Sequence, residues 1–204
     1  MIEQRGFSFM DAIKELAEEA GMEVPAPDPQ AAKKAEKRAE LVDVTTAAQD
    51  WFVGQLKSPG GRGALDYLRG RGLSDATLRE FGFGYAPEDK QALSKSLSSF
   101  EPDMLAESGM RIVTDDGSTY DRFRGRVMLP IQDQRGRVIA FGGRILAKRD
   151  GVAKYLNSPD TPLFDKGRTL YNHHRAAPAS RQTGRIVVVE GYMDVVALAQ
   201  AGFH

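Results

Sequence analysis

The chain contains no cysteine in its 204 residues. That excludes disulfides and any thiolate zinc site within it. Histidine is nearly missing too, with only His173, His174 and His204, so an imidazole-based metal cage is not expected. Any catalytic metal is left to carboxylates, whose hard oxygens suit Mg²⁺ or Mn²⁺. No window approaches the ~18 continuous apolar residues of a membrane span. Met1 leads into a charged amphipathic segment instead of a basic-then-apolar signal pattern. The reading is a cytoplasmic chain with no membrane partner. Its 41% hydrophobic content is ordinary for a globular protein and suffices for one sizeable core or two modest ones.

Net charge is also lacking: 28 Lys+Arg balance 28 Asp+Glu. The balance hides an asymmetry. Between Asp121 and Arg185 stand 14 Lys+Arg against 5 Asp+Glu. A basic block of this kind suggests a polyanion as partner, although a solvated face with clustered charge gives the same count.

The first part of the chain reads as helical. Phe7 to Gly21 carries Phe9, Ile13, Leu16, Ala17 and Ala20 at helical spacing, with Ser8 as cap, Asp11 three residues on and Gly21 as stop. Val24 to Pro29 is proline-rich and reads as a linker. Gln30 to Glu40, rich in Ala, Lys and Glu, reads as helix and continues towards Leu56 through Val44, Ala48, Trp51 and Phe52. Short helices follow over Gly63–Arg69, with Ala64, Leu65 and Leu68 turned inward, and over Asp75–Phe81, capped by Ser74.

Strands come next. Arg126 to Ile131 and Arg137 to Phe141 are β-like runs joined by the turn Asp133-Gln-Arg-Gly136. Thr169 to Tyr171 reads as a short strand. Arg185 to Glu190 is a near-continuous apolar run, as expected of a buried parallel strand, which puts Val187, Val188 and Val189 inside. A helix over Asp194–Ala201 follows, with Gly202 as its stop. Arg126 and Arg137 read as ordinary strand-edge charges, Lys148 and Arg149 as loop solvation. No catalytic part is assigned to His173 or His174.

The segment Ile186-Val-Val-Val-Glu-Gly-Tyr-Met-Asp194 carries the most chemistry. A strand ends in Glu190, glycine turns the chain, and a helix begins with Asp194 in its first turn. Ligands of open α/β sheets sit beyond the carboxyl ends of strands. Two carboxylates there can position a divalent cation or move protons in phosphoryl chemistry. The other reading leaves Glu190 a strand-end acid and Asp194 a favourable charge at the helix dipole.

The stretch Val188-Val-Glu-Gly-Tyr-Met-Asp-Val-Val-Ala-Leu198 resembles the first TOPRIM motif of bacterial DNA primases. Upstream, Asp121-Arg-Phe-Arg-Gly-Arg-Val-Met-Leu-Pro130, Gly136-Arg-Val-Ile-Ala-Phe-Gly-Gly-Arg144, Lys154-Tyr-Leu-Asn-Ser-Pro159 and Lys166-Gly-Arg-Thr-Leu-Tyr171 resemble further primase motifs in primase order. Arg71-Gly-Leu-Ser74 with Gly82-Phe-Gly-Tyr-Ala-Pro87 is similar as well, so the likeness runs over nearly the whole chain. It implies an α/β fold: a helical N-terminal arm, a mixed strand-rich basic subdomain and the start of a TOPRIM-type parallel α/β domain. It implies these boundaries: 1–24 the tail of a zinc module without its ligands, 25–40 a linker, 41–183 the N-terminal subdomain of the RNA polymerase core, and 184–204 the first TOPRIM strand and helix.

The same resemblance implies DNA-templated synthesis of RNA primers from ribonucleoside triphosphates. Arg71, Arg122, Arg124, Arg144, Lys154, Tyr155, Asn157 and Lys166 would hold the single-stranded template and nucleotide phosphates. Forked guanidiniums, compact ammoniums and an aromatic ring suit that work. Glu190, with Asp194, would be catalytic, and Glu190 a ligand of Mg²⁺ or Mn²⁺. Zinc is expected only in a full-length relative. A replicative helicase would bind through a C-terminal domain, and a later Asp-x-Asp would supply further metal ligands; neither lies within these residues. The chain thus reads as part of a primase, inactive alone. Two alternatives stand beside it: a non-catalytic single-stranded DNA-binding module, and a TOPRIM nuclease or topoisomerase.

Overall fold

The computed structural model describes residues 15–22, 28–147 and 151–203. Its contacts separate two units, Met1–Lys37 and Arg38–His204. In the first, residues 15–19 are helical and Gly21, at φ +67°, ends the turn. The expected cap Ser8, with Phe9, Asp11 and Ile13, lies outside the described residues, as do Val24 to Pro27 of the expected linker.

Helix α1, Pro29–Lys57, is one continuous element. Proline at its first position gives up a donor the helix end could not use, and Asp28 accepts from the Gln30 N–H at 2.8 Å. Leu41, Val44, Ala48, Phe52 and Leu56 are buried, the stripe that the 3.6-residue period places on one face. A short 3-10 turn, Pro59–Gly61, breaks the helix. Helices α2 (Arg62–Gly70) and α3 (Asp75–Glu80) follow. The Ser74 side chain accepts from the Thr77 N–H at 3.1 Å, capping α3 as the sequence implies.

The central sheet runs β1-β4-β5-β6, all antiparallel, with β1 at Gly84–Ala86, β4 at Arg126–Gln132, β5 at Val138–Ile145 and β6 at Tyr155–Asn157. Between β1 and β4 lie α4 (Ala92–Ser96), α5 (Pro102–Glu107) and a small hairpin of β2 (Arg111–Val113) and β3 (Thr119–Asp121). The β4–β5 turn is the expected one. Asp133 Oδ1 accepts from the N–H groups of Arg135 and Arg137, and Gly136 takes the positive φ of +77° that a side chain disfavours.

Helix α1 packs on this sheet through aromatic edges. Phe52 meets Phe141 at 5.3 Å and Phe123 at 6.5 Å between centroids, both T-shaped. A fully buried Phe contributes roughly 1.5–3 kcal/mol through area removed from water. Thr45, within α1, also donates to the Val138 carbonyl at 2.7 Å, tying helix to sheet by a buried hydrogen bond.

Two expected strands are not present. Residues 169–171 form no strand, and the segment passes directly into α6 (His173–Thr183), a helix that accommodates Pro178. The apolar run 185–190 is likewise not a strand. Val187 is 59% and Val188 81% exposed, so the expected burial of Val187, Val188 and Val189 fails, with Val189 only half-buried. The reason is the ladder. A parallel strand needs a neighbour about 4.8 Å away, and among the described residues no strand pairs with 185–190. The helix after it does form, as α7 over Tyr192–Gln200, with Gly202 at φ +90° beyond its end. Among the described residues no helix is long and apolar enough to cross a membrane.

Candidate functional site

Antiparallel pairing of β5 with β6 sets Arg144 opposite Tyr155 and Gly142 opposite Asn157. Helix α2 supplies the third wall. The Arg144 guanidinium lies over the Tyr67 ring at 4.4 Å and the Tyr155 ring at 5.9 Å, and the Lys154 ammonium sits 5.7 Å from the same Tyr155 ring. Tyr155 is 51% exposed. Arg144, Lys154, Tyr155 and Asn157 are therefore one cluster at one end of the sheet.

Arg126 underlies this cluster, and it is not an edge charge. It is only 5% exposed. Its guanidinium donates to the carbonyls of Gly143 at 3.2 Å, Lys154 at 3.4 Å and Ala153 at 3.0 Å. One carbonyl of β5 and two from the residues leading into β6 thus converge on one buried fork, which fixes how β6 enters the sheet. Burial, then the nearby Arg124, pulls its pKa down from the usual arginine range. The other edge reading holds: Arg137 pairs with Asp133 at 2.7 Å on the exposed turn.

Arg122 and Arg124 occupy the bend between β3 and β4. The bend is anchored at Asp121, whose buried carboxylate accepts from the N–H groups of Leu93 and Ser94 and from the Ser94 hydroxyl. Burial raises the Asp121 pKa in spite of these bonds. The Arg122 backbone N–H donates to Met110 at 2.9 Å. Its side chain is half-buried, its Nε without a partner among the described residues, and burial lowers its pKa. Arg124 lies 4.7 Å over the Tyr120 ring.

The site arginines share one property. Among the described residues Arg71, Arg122, Arg124 and Arg144 give no side-chain hydrogen bond to protein, whereas Arg69, Arg111, Arg126, Arg137 and Arg175 do. Free donors are what a phosphate requires. Arg71 and Lys166 are exposed and stand apart. Arg71 follows α2, and Lys166 lies in a loop held by Asp160, which accepts its backbone N–H at 3.0 Å; among the described residues no hydrogen bond, ion pair or ring contact joins either to the cluster.

The acidic end is positioned by α7. Tyr192 packs its ring on Tyr171 at 4.7 Å and against Gly142 of β5, beside Asn157. Burial raises the Tyr192 pKa, against the effect of Asn157. At the other end Gln200 accepts from the Ser74 N–H at 2.8 Å and the Thr77 hydroxyl at 2.7 Å, and donates to the Gly72 carbonyl at 2.8 Å. The helix bearing Asp194 is thereby clasped to both the sheet and the α2–α3 turn. Glu190 and Asp194 are exposed, and neither is engaged by a cation of the described residues. Gly191 has a local reason to be glycine, since a Cβ there would lie 2.8 Å from Asp194 Oδ2.

Two carboxylates do not make a metal cage, and among the described residues no group of three or more candidate ligands occurs. The donor set does fit Mg²⁺, which keeps waters and is commonly held by one or two carboxylates with substrate phosphates. Sequence reasoning missed Tyr67, Arg126, Tyr192 and Gln200. The only signal for Tyr67 is its place one helical turn before Arg71, and for Tyr192 its place between the two acids. Nothing local marks Gln200.

The family model described as the N-terminal domain of the DNA primase catalytic core matches residues 51–177. A DNA primase of Pseudomonas putida is 43% identical over 210 aligned positions, which take in the whole of this chain and 32% of the relative. The chain thus spans about a third of the length of the curated relatives it matches. Among solved structures, a DnaG primase catalytic domain bound to single-stranded DNA superposes with a TM-score of 0.75 at 42% identity, covering 83% of this chain and 55% of that one. The zinc-binding and RNA polymerase domains of the Aquifex aeolicus primase give 0.72 at 32% identity, covering 99% of this chain and 48% of that one.

Proposed function

This chain belongs to the DNA primase family, and on that premise we propose that it is the template-gripping part of a primer-synthesising polymerase. The observation that carries the reading is the cluster of Arg144, Lys154, Tyr155 and Asn157, which presents uncommitted cationic donors beside an exposed ring. A single strand is held in this manner: cations track the phosphates and an aromatic face takes a base. The single-stranded DNA in a related catalytic domain supports the choice of ligand.

In the whole enzyme a primer 3′-hydroxyl would attack the α-phosphate of a ribonucleoside triphosphate. The new O–P bond forms as pyrophosphate leaves, and the hydroxyl proton passes to solvent. Positioning and charge neutralisation would supply most of the rate. Arg122, Arg124, Arg144, Lys154 and Lys166 would orient phosphates, with Arg71 at the adjoining helix end. Glu190 would contribute one carboxylate to a divalent cation, and Asp194 a second or a purely local charge at the start of α7. When bound, Mg²⁺ or Mn²⁺ would offset charge developing on the phosphoryl oxygens.

Residues 184–204 would be the opening of a TOPRIM unit, 41–183 the basic subdomain, 25–40 a linker, and 1–24 the tail of a zinc module such as that of the Aquifex relative. A replicative helicase is the expected partner of the whole protein, in the bacterial cytoplasm.

The test is a titration of this chain with a fluorescent oligo(dT) across salt concentrations. Micromolar binding at low salt that weakens by roughly 0.7 in log K per log salt for each phosphate contacted is expected. Binding that is absent at low salt, or indifferent to salt, would remove the reading.

A further inference from the structure

Helix α2 contributes a residue to the basic cluster that no site motif contains. Tyr67 lies with its ring 4.4 Å beneath the Arg144 guanidinium, closer than Tyr155 at 5.9 Å. The two rings differ in what else they touch. Tyr67 is partly buried and packs into the core cluster that includes Leu68, Leu73 and Phe83. Tyr155 is exposed and shares its ring between Arg144 and Lys154. One ring is built into the scaffold; the other is available to a base.

A guanidinium over an aromatic face is held by its π-surface, while its five N–H groups stay available in the plane. Among the described residues Arg144 has no acceptor in the protein, so nothing but ring contact and its own strand orients its side chain. A long side chain with free rotamers loses entropy when a ligand freezes it. A supporting ring removes part of that loss before the ligand arrives, which is preorganisation.

We infer that Tyr67 is a positioning residue for nucleic-acid binding, holding Arg144 over its ring so that the guanidinium donors meet a phosphodiester of a single strand. The inference rests on the template-gripping reading above. Tyr67 acts through Arg144 and leaves the base to Tyr155. The phenolic hydroxyl has no part in this, because the ring alone provides the face.

The experiment is oligo(dT) binding by the full 204-residue chain at low and moderate salt, with five variants: Tyr67→Leu, Tyr67→Phe, Arg144→Ala, Lys154→Ala and the double variant Tyr67→Leu/Arg144→Ala. Thermal unfolding of each is recorded alongside, so that a loss of fold is separated from a loss of grip. Tyr67→Leu keeps apolar volume without the ring and should weaken binding about three- to tenfold. Tyr67→Phe should bind within about twofold of the parent, because the face is retained. Arg144→Ala should weaken binding about tenfold, and adding Tyr67→Leu to it should change nothing further, as coupled residues in one interaction do. A Tyr67→Leu effect that adds fully to Arg144→Ala, or Tyr67→Phe as weak as Tyr67→Leu, would overturn the positioning role and leave the template-gripping face standing. Unchanged binding in both Arg144→Ala and Lys154→Ala would instead bring down the face itself, and the Tyr67 role with it.

Discussion

The Tyr192 ring rests on the backbone of Gly142: a Cβ added to Gly142 would lie 2.7 Å from Tyr192 Cε2 and 3.3 Å from Asn157 Oδ1. The contact joins the two halves of the candidate site. Gly142 belongs to β5, two residues from Arg144, and Tyr192 to α7, two residues from both Glu190 and Asp194. Glu190 and Asp194 are tied to the strand of Arg144 by a ring that fits only because β5 lacks a side chain there.

Gly142→Ala should therefore shift α7 from the sheet. Overpacking of this kind costs about 1–3 kcal/mol. Urea unfolding should show the loss, and Tyr192→Ala combined with Gly142→Ala should cost less than the sum of the two single changes, since the smaller residue gives the new methyl room. Strict additivity would mean the two residues do not meet.

Arg126→Leu should destabilise the fold by about 1–3 kcal/mol, as three carbonyls of the β5–β6 region lose their donor while the buried charge is relieved. Arg126→Lys should also fall short, because one ammonium cannot reproduce the fork that reaches Gly143, Ala153 and Lys154. Equal stability of the lysine variant and the parent would show that charge alone matters there.

Acid should loosen the region around His174. Burial first, then Arg175 and His173, lowers its pKa from the usual 6.5, with Asp133 opposing. Its Nδ1 is buried with no partner among the described residues, and its ring lies 3.6 Å from where a Cβ of Gly136 would stand. A depressed pKa means that the unfolded chain takes up the proton first. The stabilising contribution is full above pH 6.5 and declines as pH falls through the lower folded value. The melting temperature should drop between pH 7.5 and 5, and His174→Gln should flatten that slope. An unchanged slope in the variant would place the acid sensitivity elsewhere.

Glu190→Gln removes charge with little change in shape. In a primase chain that includes the further acids of the family, it should abolish most primer synthesis, by about a hundredfold or more, and leave oligo(dT) affinity nearly intact. Asp194→Asn should do less if Asp194 serves mainly the start of α7. Full priming by the Glu190→Gln enzyme would take Glu190 out of the mechanism.

Much of this protein was legible because its information is local. The stripe on α1, the Ser74 cap and the Asp133–Gly136 turn each depend on residues within a few positions, where helical period, capping and turn geometry act. The family resemblance of the ordered basic motifs likewise grouped Arg144, Lys154, Tyr155 and Asn157 before any contact was known, and the β5–β6 pairing brings them together. Tertiary structure decided what distance in sequence hides. The run 185–190 has the composition of a buried strand, yet burial needs a neighbouring strand, and none of the described residues supplies one. Arg126 reads as a strand-edge charge until β5 and β6 bring three carbonyls to it. Gln200 carries no local mark at all, and Tyr67 only its place one helical turn before Arg71. Their roles exist only because the fold sets α2 against β5, and the end of α7 against the α2–α3 turn.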